Sequence, residues 1–203
     1  LWVVIGLGNP GKKYESTRHN AGFILVDRIS RRWGSKWKKN SYPSKTSRVE
    51  RKEGGFLLVK PWTFMNRSGS AVKALIRNTG VELSQMVVVY DDLDIRLGEI
   101  RVREKGGPGT HKGMISIVQE IKSIQFPRVR IGIGPLPADA EATDFVLSEF
   151  SKDEKKALEH SLDMAEDALG LIVDLKIKDA MNRFNRTAKE TGEKSLNEIK
   201  AVE

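Results

Sequence analysis

Cysteine is absent from the 203-residue chain, which excludes disulfides, thiolate nucleophiles and Cys-ligated zinc. No apolar run approaches the ~20 residues that a membrane span requires. The first residues enter a strand-like run with no basic segment or cleavage site before it, so no secretory signal is expected. Low-complexity linkers and internal repeats are missing too, which favours one domain. Histidine is scarce: His19, His111 and His160 are the whole supply. With 39% hydrophobic and 31% charged residues, the composition is that of an ordinary globular protein. Taken together, these absences fit a cytoplasmic protein.

Positive charge is abundant. The net charge is +8, a balance that suits a polyanionic partner such as RNA. Much of the excess lies between Arg28 and Lys52, where ten Lys or Arg face a single acid, Glu50, with Trp33, Trp37 and Tyr42 interleaved. The alternative is a solvated basic face.

Short β-branched runs predict strands at Trp2–Ile5, Phe56–Lys60, Met86–Tyr90, Ile100–Arg103 and Val129–Ile133. Arg48–Arg51 is expected to pair with Phe56–Lys60 through Gly54-Gly55. Helical spacing predicts Gly22–Trp33, Ser68–Asn78, Lys112–Ile121, Glu154–Leu169 and a further helix over Leu175–Thr187. Ser151 and Glu154 have the spacing of a capping box. Strands alternating with helices imply an α/β fold, and the hairpin makes the sheet mixed. The domain is expected to span residues 1–185, with a charged tail, frayed helix or mobile, over 186–203.

Gly6-Leu7-Gly8-Asn9-Pro10-Gly11 spells G-x-G-x-x-G after the first strand. A dinucleotide site requires a helix directly after the last glycine and an acid ending a second strand about 20 residues on. Here Lys12–Asn20 intervenes, and the acid, Asp27, falls inside a helical pattern. A second glycine run, Gly106–Gly113, lacks the Ser or Thr after Lys112 that a nucleotide phosphate loop needs. Neither run meets the requirements of a nucleotide cradle.

Ligands of α/β sheets gather beyond the carboxyl ends of strands. Asn9 and His19 follow the first strand, Phe64, Met65 and Asn66 the second, Asp91 the third, and His111 the fourth. An imidazole titrates near neutrality and can take a proton from water. A carboxylate on its other nitrogen would fix the tautomer and stabilise the imidazolium. Amide NH₂ groups can donate to an oxygen that gains negative charge. This set suits hydrolysis of an activated acyl group, an ester before an amide. His160 lies on the charged side of its helix and is expected to be inert.

Five blocks then carry a resemblance: "GLGNPGKKYESTRHNAG" (Gly6–Gly22), "KPWTFMNRSGSAV" (Lys60–Val72), "VVVYDDLD" (Val87–Asp94), "GGPGTHKGM" (Gly106–Met114) and "RVRIGIG" (Arg128–Gly134). In this order they resemble the bacterial-type peptidyl-tRNA hydrolases, and the likeness runs from residue 2 to Asn185. It implies a monomeric α/β fold with a mixed, twisted central sheet surrounded by helices. It also implies hydrolysis of the ester between a peptide and the 3′ end of tRNA, without metal or cofactor. By similarity His19 is the general base and Asp91 its support. Asn9 matches the position that separates N-blocked from free aminoacyl-tRNA, and Asn66 one that polarises the ester carbonyl. Tyr14, Phe64, Met65, Asn66 and His111 fall at substrate-binding positions, and Arg103, Arg128 and Arg130 at basic positions near tRNA phosphates. The family usually has His-Asn-Gly where this chain has His111-Lys112-Gly113, so Lys112 stands at a binding position with a changed side chain. Two other readings compete: a non-catalytic RNA-binding relative, and a nicotinamide oxidoreductase.

Overall fold

The computed structural model describes residues 1–52 and 54–185. A seven-stranded sheet runs through the molecule. Its strands are β1 (Trp2–Gly6), β2 (Lys38–Lys39), β3 (Ser44–Val49), β4 (Phe56–Pro61), β5 (Met86–Arg96), β6 (Ile100–Arg103) and β7 (Arg128–Gly134), in the spatial order β2-β3-β4-β1-β5-β7-β6. The central strands β4, β1, β5 and β7 are parallel, while β2, β3 and β6 pair antiparallel at the edges. The mixed α/β architecture expected from the sequence is the one present.

Among the described residues six α-helices accompany the sheet: α1 (Ala21–Arg32), α2 (Ser68–Thr79), α3 (Lys112–Ile121), α4 (Ala142–Leu147), α5 (Lys152–Val173) and α6 (Ile177–Phe184). Strand β1 has apolar residues on both faces because both are covered. Val4, Val87 and Val89 pack with Leu25, Leu162 and Phe184 under α1, α5 and α6. Val3, Ile5, Met86 and Val88 pack with Val72, Leu75 and Ile117 under α2 and α3. Ser151 and Glu154 form the capping box of α5, each side chain bonding the other's backbone N–H.

Four sequence expectations change. The hairpin partner of β4 is Ser44–Val49 rather than Arg48–Arg51; its polar residues hid a strand that lies between β4 and the two-residue edge strand β2. Strand β5 continues six residues beyond Tyr90 to bind β7, and α5 runs to Val173. The helix expected over Leu175–Thr187 spans Ile177–Phe184, and the tail expected over 186–203 lies outside the described residues. Among the described residues no helix is long and apolar enough to cross a membrane.

The chain leaves β1 for β4 on one side and reaches β5 on the other. The carboxyl ends of these strands therefore open a crevice at the reversal of strand order. Gly6 and Gly22 let α1 start directly against β1: a Cβ on Gly6 would lie 2.3 Å from the Gly22 carbonyl oxygen. Gly8 receives the Phe23 ring in the same way, at 2.5 Å. Of the glycines in the first run, Gly11 alone has a positive φ, 116°. Close packing of helix on strand explains the G-x-G spacing.

Candidate active site

A cavity of about 630 Å³ opens at the carboxyl ends of β1, β4 and β5. Asn9, His19, Phe64, Met65, Asn66, Asp91 and His111 line one part of it, and Arg103, Lys105, Lys112 and Arg130 another. Tyr14 is not among the lining residues; it is half-buried, with the Lys13 ammonium over its ring.

His19 sits in a 3-10 turn, Arg18–Asn20, that delivers the chain into α1. Its Nδ1 lies 3.0 and 2.9 Å from the two carboxylate oxygens of Asp91. Asp91 ends the buried part of β5 and is 2% exposed. Burial alone would raise its carboxyl, but the charge and hydrogen bonds of His111 and His19 outweigh burial and hold it well below the usual carboxylate range. An ionised carboxylate only accepts, so His19 presents Nδ1–H to Asp91. In the neutral ring Nε2 then keeps a lone pair.

His111 contributes the second bond to Asp91, with Nε2 3.0 Å from Oδ1. It is also the N-cap of α3, where its Nδ1 accepts from the Met114 N–H at 3.2 Å. His19, Asp91 and His111 bring one ligand atom each within 4.8 Å of one another, a spacing open to a metal ion. The same spacing suits hydrogen bonding, in which an ionised Asp91 accepts from a ring N–H of each histidine. The triad reads as a hydrogen-bonded unit.

The amides are equally constrained. Asn9 Oδ1 accepts from the Met65 N–H at 2.8 Å, which leaves the Asn9 NH₂ for a ligand. Asn20 holds the Asn9 backbone from both sides, accepting from its N–H at 2.8 Å and donating to its carbonyl at 3.0 Å. Asn66 is exposed, and Phe64 beside it is 58% exposed. Met65 is buried, forming part of the floor.

Sequence reasoning gave no role to three supporting groups. Asn20 is one. Arg18 is another: its guanidinium lies between the Phe145 and Phe150 rings and binds Glu154 at 2.8 Å and Ser148 at 3.2 Å. This ties the His19 turn to α4 and to the start of α5. The third is Lys105, on the basic side of the cavity. An amide adjacent to a candidate base was the available signal for Asn20; nothing local signalled Arg18.

Arg128 corrects an expectation. Expected beside tRNA phosphates, it is 1% exposed. Its Nη1 and Nη2 donate to the carbonyls of Gly106, Gly107, Ile124 and Phe126. It is the peg on which the second glycine run is hung, and its charge is turned inward. Arg130 is half-buried and bound to Asp92 at 2.6 Å. Arg103 is half-buried and Lys112 exposed, both at the cavity wall.

An α/β sheet with a polar cleft at its strand ends, holding a histidine–carboxylate pair beside free amide donors, belongs to the class of hydrolases. A family model described as peptidyl-tRNA hydrolase matches residues 3–193. The chain belongs to the peptidyl-tRNA hydrolase family, whose members hydrolyse esters. It is 42% identical to the peptidyl-tRNA hydrolase of Caldanaerobacter subterraneus over 91% of this chain and 100% of that one. Against the Syntrophomonas wolfei protein of the same name, identity is 43% over 90% of this chain and 99% of the other. Among solved structures, the peptidyl-tRNA hydrolase of Acinetobacter baumannii superposes with a TM-score of 0.84 at 32% identity, covering 90% of this chain and 93% of that chain.

Proposed function

We propose that this chain hydrolyses the ester joining a peptide, or an N-blocked aminoacyl group, to the 3′ end of tRNA. His19 Nε2 takes a proton from water, the resulting hydroxide attacks the ester carbonyl, and the ribose hydroxyl leaves with a proton returned by the imidazolium. Asp91 keeps His19 in the productive tautomer and balances the charge it gains. Asn66 donates to the carbonyl oxygen as it becomes an oxyanion. Products are a peptide carboxylate and tRNA with a free 3′ end.

The pairing of His19 Nδ1 with Asp91 carries this reading. Asn9 accounts for selection of a blocked amine. Its NH₂, released by the bond from Met65 to its oxygen, suits the carbonyl of a peptide or acyl group. A free ammonium offers hydrogens and no acceptor, so it meets Asn9 donor against donor. The basic wall of Arg103, Lys105 and Lys112 receives the phosphates of the acceptor end, which suits the +8 charge. Catalysis is assigned to residues 1–185, acting as a monomer in the cytoplasm.

The test is incubation with N-acetylated aminoacyl-tRNA and its unblocked counterpart. Rapid release from the first and little from the second is expected. His19→Ala should lose about 100- to 10,000-fold in kcat, the span of general-base catalysis, while still binding tRNA. Ordinary turnover by that variant overturns the mechanism, and a parent that binds tRNA without cleaving either substrate favours the non-catalytic RNA-binding alternative.

A further inference from the structure

We infer that His111 is a positioning residue: the first turn of α3 fixes it as the Nε2–H tautomer, and through that hydrogen it locks the Asp91 carboxylate against His19. This deepens the proposed function and rests on it for its kinetic meaning. Its structural part stands on the hydrogen bonds alone.

Each nitrogen of the His111 ring has one partner. Nδ1 accepts the Met114 N–H, one of the otherwise unpaired donors at the start of α3. A ring nitrogen that accepts carries no hydrogen, so in the neutral ring the proton is on Nε2. There it points at Asp91 Oδ1, 3.0 Å away. Protonating Nδ1 would set N–H against N–H at the cap. The helix start therefore selects which face of the imidazole donates.

Asp91 needs such a lock. Among the described residues its carboxylate has two hydrogen-bond partners, His19 and His111. His19 Nδ1 is shared between both oxygens at nearly equal distance, which leaves rotation of the carboxylate weakly opposed by His19 alone. The bond from His111 breaks that symmetry by pinning Oδ1. Packing holds the ring in place: its centroid is 4.9 Å from Tyr90 and 4.8 Å from His19. Gly113 completes the seat, since a Cβ there would stand 3.0 Å from His111 Cε1 and 2.5 Å from Met65 Sδ. A merely structural cap would require Nδ1 only; Asn or Ser would serve it as well.

Two measurements on the full chain test this. The ¹⁵N spectrum of histidine-labelled protein, with His111 assigned by its loss in His111→Asn, should show an unprotonated Nδ1 and a protonated Nε2 at residue 111. His19 should show the reverse. His111→Asn retains a good N-cap but is too short to reach Asp91, so it separates helix capping from the lock. Its kcat on N-acetylated aminoacyl-tRNA should fall about 10- to 100-fold, the scale of a small misplacement of a catalytic group, with KM within about 2-fold. His111→Gln, which can reach Asp91 with an amide N–H, should recover part of kcat. A tautomerically averaged or Nδ1–H ring at residue 111, or a His111→Asn loss that falls on KM with kcat intact, overturns the inference. A parent without hydrolytic activity would instead refute the proposed function, and the spectrum would still decide the tautomer.

Discussion

Asn20 clasps Asn9 across the base of the active cleft, its amide oxygen taking the Asn9 N–H and its amide NH₂ giving to the Asn9 carbonyl. Both residues are buried, and Asn20 closes the turn that carries His19, following it directly. One side chain thus ties the His19 turn to Asn9, the proposed base to the amide proposed to select the acyl group. Replacing it by Ala leaves a buried N–H and a buried carbonyl unpaired, each costing about 1–3 kcal/mol. Asn20→Ala should lower the denaturation midpoint and also relax discrimination, narrowing the ratio of blocked to unblocked aminoacyl-tRNA hydrolysis. Paired rate measurements on the two substrates check it; an unchanged ratio would confine Asn20 to stability.

Arg18 offers a cleaner separation of function from folding. Glu154 both caps α5 and binds Arg18. Glu154→Gln retains the capping geometry, since Gln serves in a capping box, and weakens the ion pair that ties the His19 turn to α5. The expected outcome is a few-fold fall in kcat with little change in melting temperature. Comparing steady-state kinetics with thermal unfolding of this variant decides whether the strap positions the turn.

Much of this arrangement was legible in the sequence because it follows the strand pattern. The runs that became β1, β4 and β5 are continuous and apolar, so the residues just beyond them were bound to share one edge of the sheet; His19, Asp91, Asn9 and Asn66 were found that way. What could not be read were contacts made across large separations. The Arg18–Glu154 pair spans 136 positions and has no local signature. Arg128 was placed near tRNA phosphates by the resemblance alone, and what hides its charge is long-range: the carbonyls of Gly106 and Gly107 close over it. The polar strand β3 was displaced in register for want of an apolar period.

The two kinds of arginine differ in their response to salt. Arg103→Ala should raise KM for tRNA and reduce the slope of log KM against log salt by about 0.7–0.9, one phosphate contact. Arg128→Ala strips donors from four carbonyls and should lower thermal stability while leaving that slope unchanged. Measuring both variants between about 50 and 200 mM salt separates a phosphate ligand from a loop peg.

Lys112 stands at the first position of α3, directly after its cap. A cation there opposes the positive end of the helix dipole by a few tenths of a kcal/mol at an exposed site. Lys112→Asn, which restores the side chain usual in the family, should raise stability slightly and leave hydrolysis equal or faster. A severe loss of activity would show that the lysine carries a substrate contact of its own.

Asp91 sets the acid behaviour. Its carboxyl is held below the usual range, so it stays ionised where free carboxylates become protonated. On acidification, the activity profile should show no step from protonation of Asp91 near pH 4, where an ordinary carboxylate titrates. Stability follows the same linkage. A depressed native pKa stabilises the fold fully above the unfolded value near pH 4. That contribution declines by about 1.4 kcal/mol per pH unit as pH drops from there toward the native value. Asp91→Asn cannot show this decline, so the stability advantage of the parent over the variant should shrink between about pH 5 and pH 3, within the carboxylate window. Denaturant titrations of both proteins across that interval test the sign: an advantage that grows on acidification would mean that Asp91 is protonated in the native state, and that His19 lacks the anion on which its orientation depends.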